Sequence, residues 1–393
     1  MLETILIYTI LGILIFLSNI SNKILVFLIV LMSSGFIYFS ASSLIIYLLY
    51  VNFRKFKPSS LQLFFFGLIC LLAFISSVIN INIGFSIFDI TQFFVVCALF
   101  LFVRFDLFNA NDFKSIPIGF FIGSIVMSLV IIYRHFILND LSQDNFEFFS
   151  ISKTYNYTSY YLTFGMIFSS YMIISRFFIR IMIFMIYCLA IYSLESRAGL
   201  LIGLLAFIFL SIKHDNFLKL FIGIISFAVI LFFIINSSIF DSTNQNDLLF
   251  SIINFEDNTS NLERLYMFLG AFKNLSDYPY GLGLDNTHIG LALHGIYHPH
   301  SHNTLANWVY DFGYIGIFLY SFFLFFLMRE FLKSFRLKSK VSKFNHAIIG
   351  FIFFYSIVSS LQYNIMVILI TYFCILSLVS LSRIELISSN NNV

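Results

Sequence analysis

Charge is scarce in this 393-residue chain: Asp, Glu, Lys and Arg together make up 10% of it, against 60% hydrophobic residues. So little polar surface excludes a water-soluble globular fold, which could not cover itself. Long basic tracts are missing too, and a net charge of +3 without one excludes nucleic acid as a partner. Strict alternation of apolar and polar residues is missing, which excludes a transmembrane β-barrel. The four cysteines, Cys70, Cys97, Cys188 and Cys374, show no C-x-x-C spacing and sit in apolar stretches. They read as packing residues, not as a disulfide framework or a metal site. The N-terminus has no basic region and no small-residue cleavage site, so the first apolar run is expected to be retained as a span.

What is abundant is long apolar sequence, rich in phenylalanine, with 55 residues of that type and a mean hydropathy of +0.95. About 20 apolar residues cross a bilayer as a helix. Runs of that kind lie near 3–19, 24–51, 60–79, 87–104, 116–134, 157–175, 178–195, 198–213, 217–236, 306–328, 346–363 and 365–382. The expected fold is an all-α integral membrane protein with about 12 transmembrane helices, the second breaking around Ser40 to Ser43. Residues 1–235 then hold helices 1–9, residues 236–306 form one large loop, and residues 307–393 hold helices 10–12 and a tail.

Lys and Arg in short loops mark the cytoplasmic side. Arg54, Lys55 and Lys57 mark one such loop, Arg176 and Arg180 another, Lys213 and Lys219 a third. The segment after residue 328, with Arg329, Lys333, Arg336, Lys338, Lys340 and Lys343, is the strongest signal. Counted through, these fall on one side, which places both termini in the cytoplasm and the loop 236–306 outside. No internal repeat is visible, which counts against transporters built from duplicated halves. Within the loop, Leu265, Phe268, Leu269 and Phe272 recur at helical spacing and predict a short helix from Glu263 to Leu275.

Five of the eight histidines fall between 288 and 302: His288, His294, His298, His300 and His302. Imidazole is a common zinc ligand, yet no H-E-x-x-H helix or nearby cysteine accompanies the group. A histidine that accepts a proton near neutral pH is the other chemical reading, and a polar loop without chemistry is the third. Arg197, beside a span, is expensive at membrane depth and calls for an anionic partner, either Glu195, lipid headgroups or a bound phosphate. Arg264 has the same choice between Glu263 or Asp257 and a phosphate. Gly281 and Gly283 follow Pro279 and read as a turn, with backbone approach to a phosphate as the alternative. Asp277 and Asp285 flank that turn as carboxylates in reach of general-base chemistry.

In the string HSHNTLANWVYDFGYIG nine residues separate His302-Asn303 from Gly313, and two separate Gly313 from Gly316. This resembles the H-[N/S/Q]-x9-G-x2-[G/T/Y] signature of the O-antigen ligase and polymerase superfamily of membrane glycosyltransferases. Arg197 in ESRAG is similar to the arginine of that family's S-R-[A/G]-[A/G] element. Arg264 is similar to the arginine that precedes its P-x-G-x-G stretch. The resemblance spans about residues 190–330. It favours His302 over His300, because His300-Ser301 does not set a glycine at the required offset.

The resemblance implies a metal-independent, inverting glycosyltransferase without cofactors, in a bacterial inner membrane with its site facing the periplasm. Its donor would be a glycan on undecaprenyl diphosphate, its acceptor a lipid-linked repeat unit or the lipid A core. His302 is the expected catalytic base and Arg197 and Arg264 the expected diphosphate-binding residues, with His300, Asn303 and Asp285 as accessory candidates. Membrane lipids and a chain-length regulator are the other implied partners. Polymerisation of O-antigen or related repeat units is favoured over ligation to lipid A core, because the Phe, Ile and Asn bias resembles products of AT-rich surface-polysaccharide gene clusters. A flippase for the same lipid-linked glycans is the rival of a different class.

Overall fold

The computed structural model describes residues 2–33, 37–53, 110–138, 155–169, 176–194, 196–211, 259–284, 286–298, 300–335 and 339–359, with isolated positions at 63, 67 and 71 and between 361 and 377. Among the described residues there is no strand. In chain order the helices are α1 (Leu2–Leu17), α2 (Lys23–Leu31), α3 (Ile37–Phe53), α4 (Ala110–Tyr133), α5 (Tyr155–Phe168), α6 (Phe177–Ser193) and α7 (Arg197–Ser211). They continue with α8 (Thr259–Lys273), α9 (Thr287–Ala292), α10 (Thr304–Phe312), α11 (Tyr314–Ser334) and α12 (Ser339–Val358). Helix is the natural choice for such apolar segments, because it satisfies each backbone N–H and C=O within the segment itself.

Three of these segments are long and apolar enough to cross a bilayer: Ser115–Ile137, Tyr314–Ser334 and Val341–Val358. Shorter apolar helices cover Leu6–Leu17, Phe178–Ser193 and Ala198–Phe207. Along α11, Phe318, Phe322, Phe325 and Leu332 stand exposed at helical spacing. A continuous apolar face of that kind belongs against lipid. The chain is a membrane protein. The runs expected at 60–79, 87–104, 217–236 and 365–382 lie outside the described residues, apart from isolated positions.

Two expected runs are each divided in the structure. The run 24–51 becomes α2 and α3, and the division falls between Leu31 and Ile37, not at Ser40 to Ser43, which lie inside α3. Ser33-Ser34-Gly35 is the weakest helix-forming stretch of that run. The run 306–328 becomes the short α10 and the spanning α11, separated by Gly313 at φ 58°. A side chain is strained at such a backbone angle, so glycine there ends one helix and starts the next.

The helices gather into two compact units. The first contains α1, α2, α4 from Ser115, α5, α6, α7 and residues 346–351 of α12. Small residues let its backbones approach closely, as in other membrane helix packings. A Cβ on Gly199 of α7 would lie 2.8 Å from the Ser159 Cβ of α5. Hydroxyl bonds join helices of this unit: Ser196 Oγ to Ser159 Oγ of α5 at 2.7 Å, Ser124 Oγ of α4 to Tyr187 Oη of α6 at 2.7 Å, and Tyr8 Oη of α1 to Ser33 Oγ, just after α2, at 2.9 Å. The Phe164 ring packs 4.7 Å from Phe120 and 4.5 Å from Phe168.

The second unit contains α3, α8 from Leu262, α9, α10, α11 and the ends of α12. Met267, Ala271, Leu275, Leu282, Leu291, Ala306, Val309 and Tyr310 form its buried cluster, which ties α8, α9 and α10 together. The predicted helix 263–275 is present as α8, but Met267 and Ala271 turn inward with Phe268 packed beside them, while Leu265, Leu269 and Phe272 of the stripe that predicted it are exposed. The Tyr310 hydroxyl donates to the Met267 carbonyl at 3.1 Å, and the Thr287 hydroxyl donates to Asp311 Oδ1 at 3.0 Å. On α11, the buried Glu330 carboxylate accepts from Arg329 at 2.7 Å and Lys333 at 2.9 Å. These two cations offset the cost of burying its charge.

Gly316 tests this packing. A Cβ there would collide with the backbone carbonyl of Trp308, which cannot rotate away. Gly316→Ala is expected to destabilise the folded protein by about 2 kcal/mol or more, read as a lower thermal midpoint and yield in detergent. Gly350→Ala, where nothing lies within 4 Å of the new Cβ, is the control and should lose no stability.

Candidate active site

The site is built around the start of α10. Asn303 caps this helix, its side-chain oxygen accepting from the Ala306 amide at 3.0 Å while Nδ2 donates to the Ile357 carbonyl at 2.8 Å. Thr304 adds a second tie, donating to the Ser359 carbonyl at 3.0 Å and accepting from the Leu361 amide at 3.1 Å. One turn into the helix, Asn307 accepts from the Ser301 amide at 2.9 Å and the Ser301 hydroxyl at 2.8 Å. The chain on both sides of His302 is therefore clamped, and His302 itself takes φ 54°. Among the described residues it is the one non-glycine position with positive φ. Such a conformation persists only where surrounding bonds impose it.

His298, His300 and His302 alternate along this segment, and their rings are brought together. Their ring centroids lie 4.4 Å (298 to 302), 4.7 Å (300 to 302) and 5.0 Å (298 to 300) apart. His300 is buried, while His298 and His302 are half-buried. His298 Nδ1 lies 2.7 Å from the His300 carbonyl oxygen. The His300 amide also points at that Nδ1, at 3.3 Å, so Nδ1 donates to the carbonyl when it carries the ring proton and accepts from the amide when it does not. His302 Nε2 lies 3.2 Å from His298 Nε2, and one of these two nitrogens donates to the other.

Both deeper imidazoles are held neutral. Burial, then the neighbouring His298, pushes His300 down to about 4. Burial lowers His302 further, to about 2, with the charges of His300, Arg264 and His298 adding to the effect. Arg264 lies half-buried on the first turns of α8, close enough for its guanidinium to be felt at His302. His302, His300, Asn303 and Arg264 thus meet in the second unit. Arg197 is the first residue of α7, in the first unit. Its side chain and Asp285 lie outside the described residues.

The glycine-rich turn after α8 does structural work. Leu282 and Gly283 amides donate to the carbonyls of Tyr310 and Asp311 at 2.7 and 3.0 Å, and the Tyr314 amide donates to the Pro279 carbonyl at 2.9 Å. A Cβ at Gly281 would collide with the backbone of Asp311, and one at Gly313 with the Pro279 carbonyl. The turn is thus docked on the end of α10, and these glycines permit the approach. In the S-R-A-G element the serine and glycine also have structural roles. Ser196 Oγ accepts from the Gly199 amide at 3.4 Å as an N-terminal cap of α7.

Residues 181–321, about a third of the chain, match the family described as O-antigen ligase. That stretch is similar to an O-antigen ligase domain. It starts in α6, takes in Arg197, Arg264 and the histidine cluster, and ends in α11. No curated protein matches the chain. Sequence reasoning did not single out His298 within the histidine group and gave no role to Asn307, although the H-x-H-x-H alternation and the four-residue step from Asn303 to Asn307 were signals for both.

The buried imidazoles make folding pH-dependent. Below about 6.5 an unfolded histidine takes up a proton that folded His300 refuses until about 4. Its contribution to stability is therefore complete above that upper value and is lost as the pH falls through the window. The thermal midpoint in detergent should drop between pH 7 and pH 4.5, and His300→Gln should make that drop smaller. An unchanged slope would mean that His300 is not buried in the folded protein.

Proposed function

We propose that the chain is an integral-membrane glycosyltransferase that takes its glycan from undecaprenyl diphosphate and acts at the periplasmic face of a bacterial inner membrane, with both termini in the cytoplasm. The observation that carries this reading is the clamped His302, held neutral by burial and within reach of the charge of Arg264, in the stretch that matches the O-antigen ligase family. His302 takes the proton from an acceptor sugar hydroxyl as that oxygen attacks the anomeric carbon. The bond from that carbon to the diphosphate oxygen breaks, and the departing diphosphate carries the electron pair. Arg264 and Arg197 hold it and stabilise its developing charge, the type of electrostatic assistance that usually dominates. Attack opposite the leaving group inverts the anomeric carbon, and two guanidinium groups remove the need for a metal.

A neutral imidazole with so low an affinity for protons is a weak base, and the donor itself corrects this. A diphosphate against Arg264 cancels the charge that disfavours imidazolium and supplies a counter-anion, so the basicity of His302 rises when donor is bound. Asp285 and His300 are accessory candidates in the same loop, and Asn303 acts by holding the start of α10. The acceptor is proposed to be the next lipid-linked repeat unit, making the chain a polymerase. The alternative within the family is the lipid A core. A chain-length regulator is a partner of the polymerase reading.

Surface-polysaccharide banding in a deletion strain decides between these. Core plus a single repeat in the null indicates a polymerase, and bare core with accumulated lipid-linked polymer a ligase. His302→Ala, expressed at wild-type level, should resemble the null and lower transfer by about 10²–10⁴-fold in vitro. Arg264→Ala should cost about 10²–10³-fold, mainly in turnover. Full banding with His302→Ala would refute the base. Lipid scrambling in liposomes without glycosidic bond formation would refute the enzyme.

A further inference from the structure

We propose that His298, His300 and His302 form a three-imidazole binding site for Zn²⁺ or Cu²⁺, and that an ion held there switches the transferase off by capturing His302. One ligand nitrogen from each of the three rings lies within 4.8 Å of the others. The two Nε2 atoms of His298 and His302 are 3.2 Å apart. Two nitrogens bound to one tetrahedral ion at about 2.0–2.1 Å are about 3.3 Å apart, so this pair already has the spacing of an edge of a coordination tetrahedron. A modest turn of the His300 ring brings in the third nitrogen.

The surroundings are those of a metal ligand set. With its proton on Nδ1, His298 donates to the His300 carbonyl at 2.7 Å, the kind of outer hydrogen bond that orients a ligating histidine and leaves Nε2 for the ion. The segment is held by Ser301 on Asn307 and by the Asn303 cap, so the rings need little ordering on binding. An ion on His302 Nε2 leaves the ring proton on Nδ1. No net proton is released, but the ring keeps no lone pair for the proposed transfer. This inhibitory half rests on the glycosyltransferase reading; the binding half does not.

The donor set also sets selectivity. Three neutral nitrogens favour Cu²⁺ and Zn²⁺ and do not favour Mg²⁺ or Ca²⁺, which seek oxygen. The charge of Arg264 acts on His302 and opposes a second cation. Removing it should therefore tighten metal binding, an effect in the opposite direction from its expected effect on catalysis.

The test uses the full chain in detergent, without a histidine tag and stripped with a chelator. Zn²⁺ is titrated against a chromophoric chelator, and Co²⁺ serves as a visible probe of coordination. The expected result is one ion per chain, with affinity at least tenfold weaker in His298→Ala and in His300→Ala and tighter in Arg264→Gln. Mg²⁺ should not compete. Equal Zn²⁺ affinity in wild type and the His298→Ala, His302→Ala double variant overturns the site and leaves the transferase reading untouched. Zn²⁺ bound with no change in glycan transfer overturns the inhibition, and with it the role of His302 as base.

Discussion

The carbonyl of Pro279 and the amides of Leu282 and Gly283 are bonded to the last turn of α10 and the first residue of α11. This backbone-to-backbone docking leaves no room for a side chain at Gly281 or Gly313. Because α8 leads into the docked turn and α10 begins at the histidines, the same contact sets where Arg264 stands relative to His302. The buried cluster from Met267 to Tyr310 fills the space beneath it. Two glycine-containing stretches of the sequence are thus two halves of one joint.

The electrostatics of the site follow from that joint. Packing against α8 and α10 removes water from His300 and His302, and desolvation is the largest cause of their lowered proton affinity. Neutral imidazoles placed together can share protons, accept one from a hydroxyl, or bind a soft cation, and the nearby guanidinium decides among these. Alone it disfavours any added positive charge. In the proposed reaction an anionic diphosphate would make it part of a neutralised pair and so couple donor binding to base strength.

In the first unit the requirements differ. Its helices are held by small residues and buried hydroxyls, with Ser196 both bonding Ser159 and capping α7. The first turn of α7 is therefore positioned by α5, and Arg197 begins that turn. An N-terminal first turn carries unsatisfied amides and a positive dipole end, which suits an anionic ligand as well as the guanidinium does.

Hydropathy alone determined that the chain is helical and lives in a membrane, because too little polar surface permits anything else. The spacing from His302 to Gly313 and Gly316, with the arginine-bearing strings, carried the resemblance to the O-antigen ligase family that residues 181–321 match. Helix limits were less legible. An apolar run does not show where a positive-φ glycine will break it, so 306–328 read as one span and proved to be α10 and α11. Single-residue roles were less legible still. Asn303 turned out to be a helix cap, and Gly281 a point of backbone contact. His298 turned out to meet His302, their Nε2 atoms 3.2 Å apart. Such contacts depend on residues far apart in the chain meeting at hydrogen-bond distance, which composition and spacing do not encode and only the tertiary fold decides.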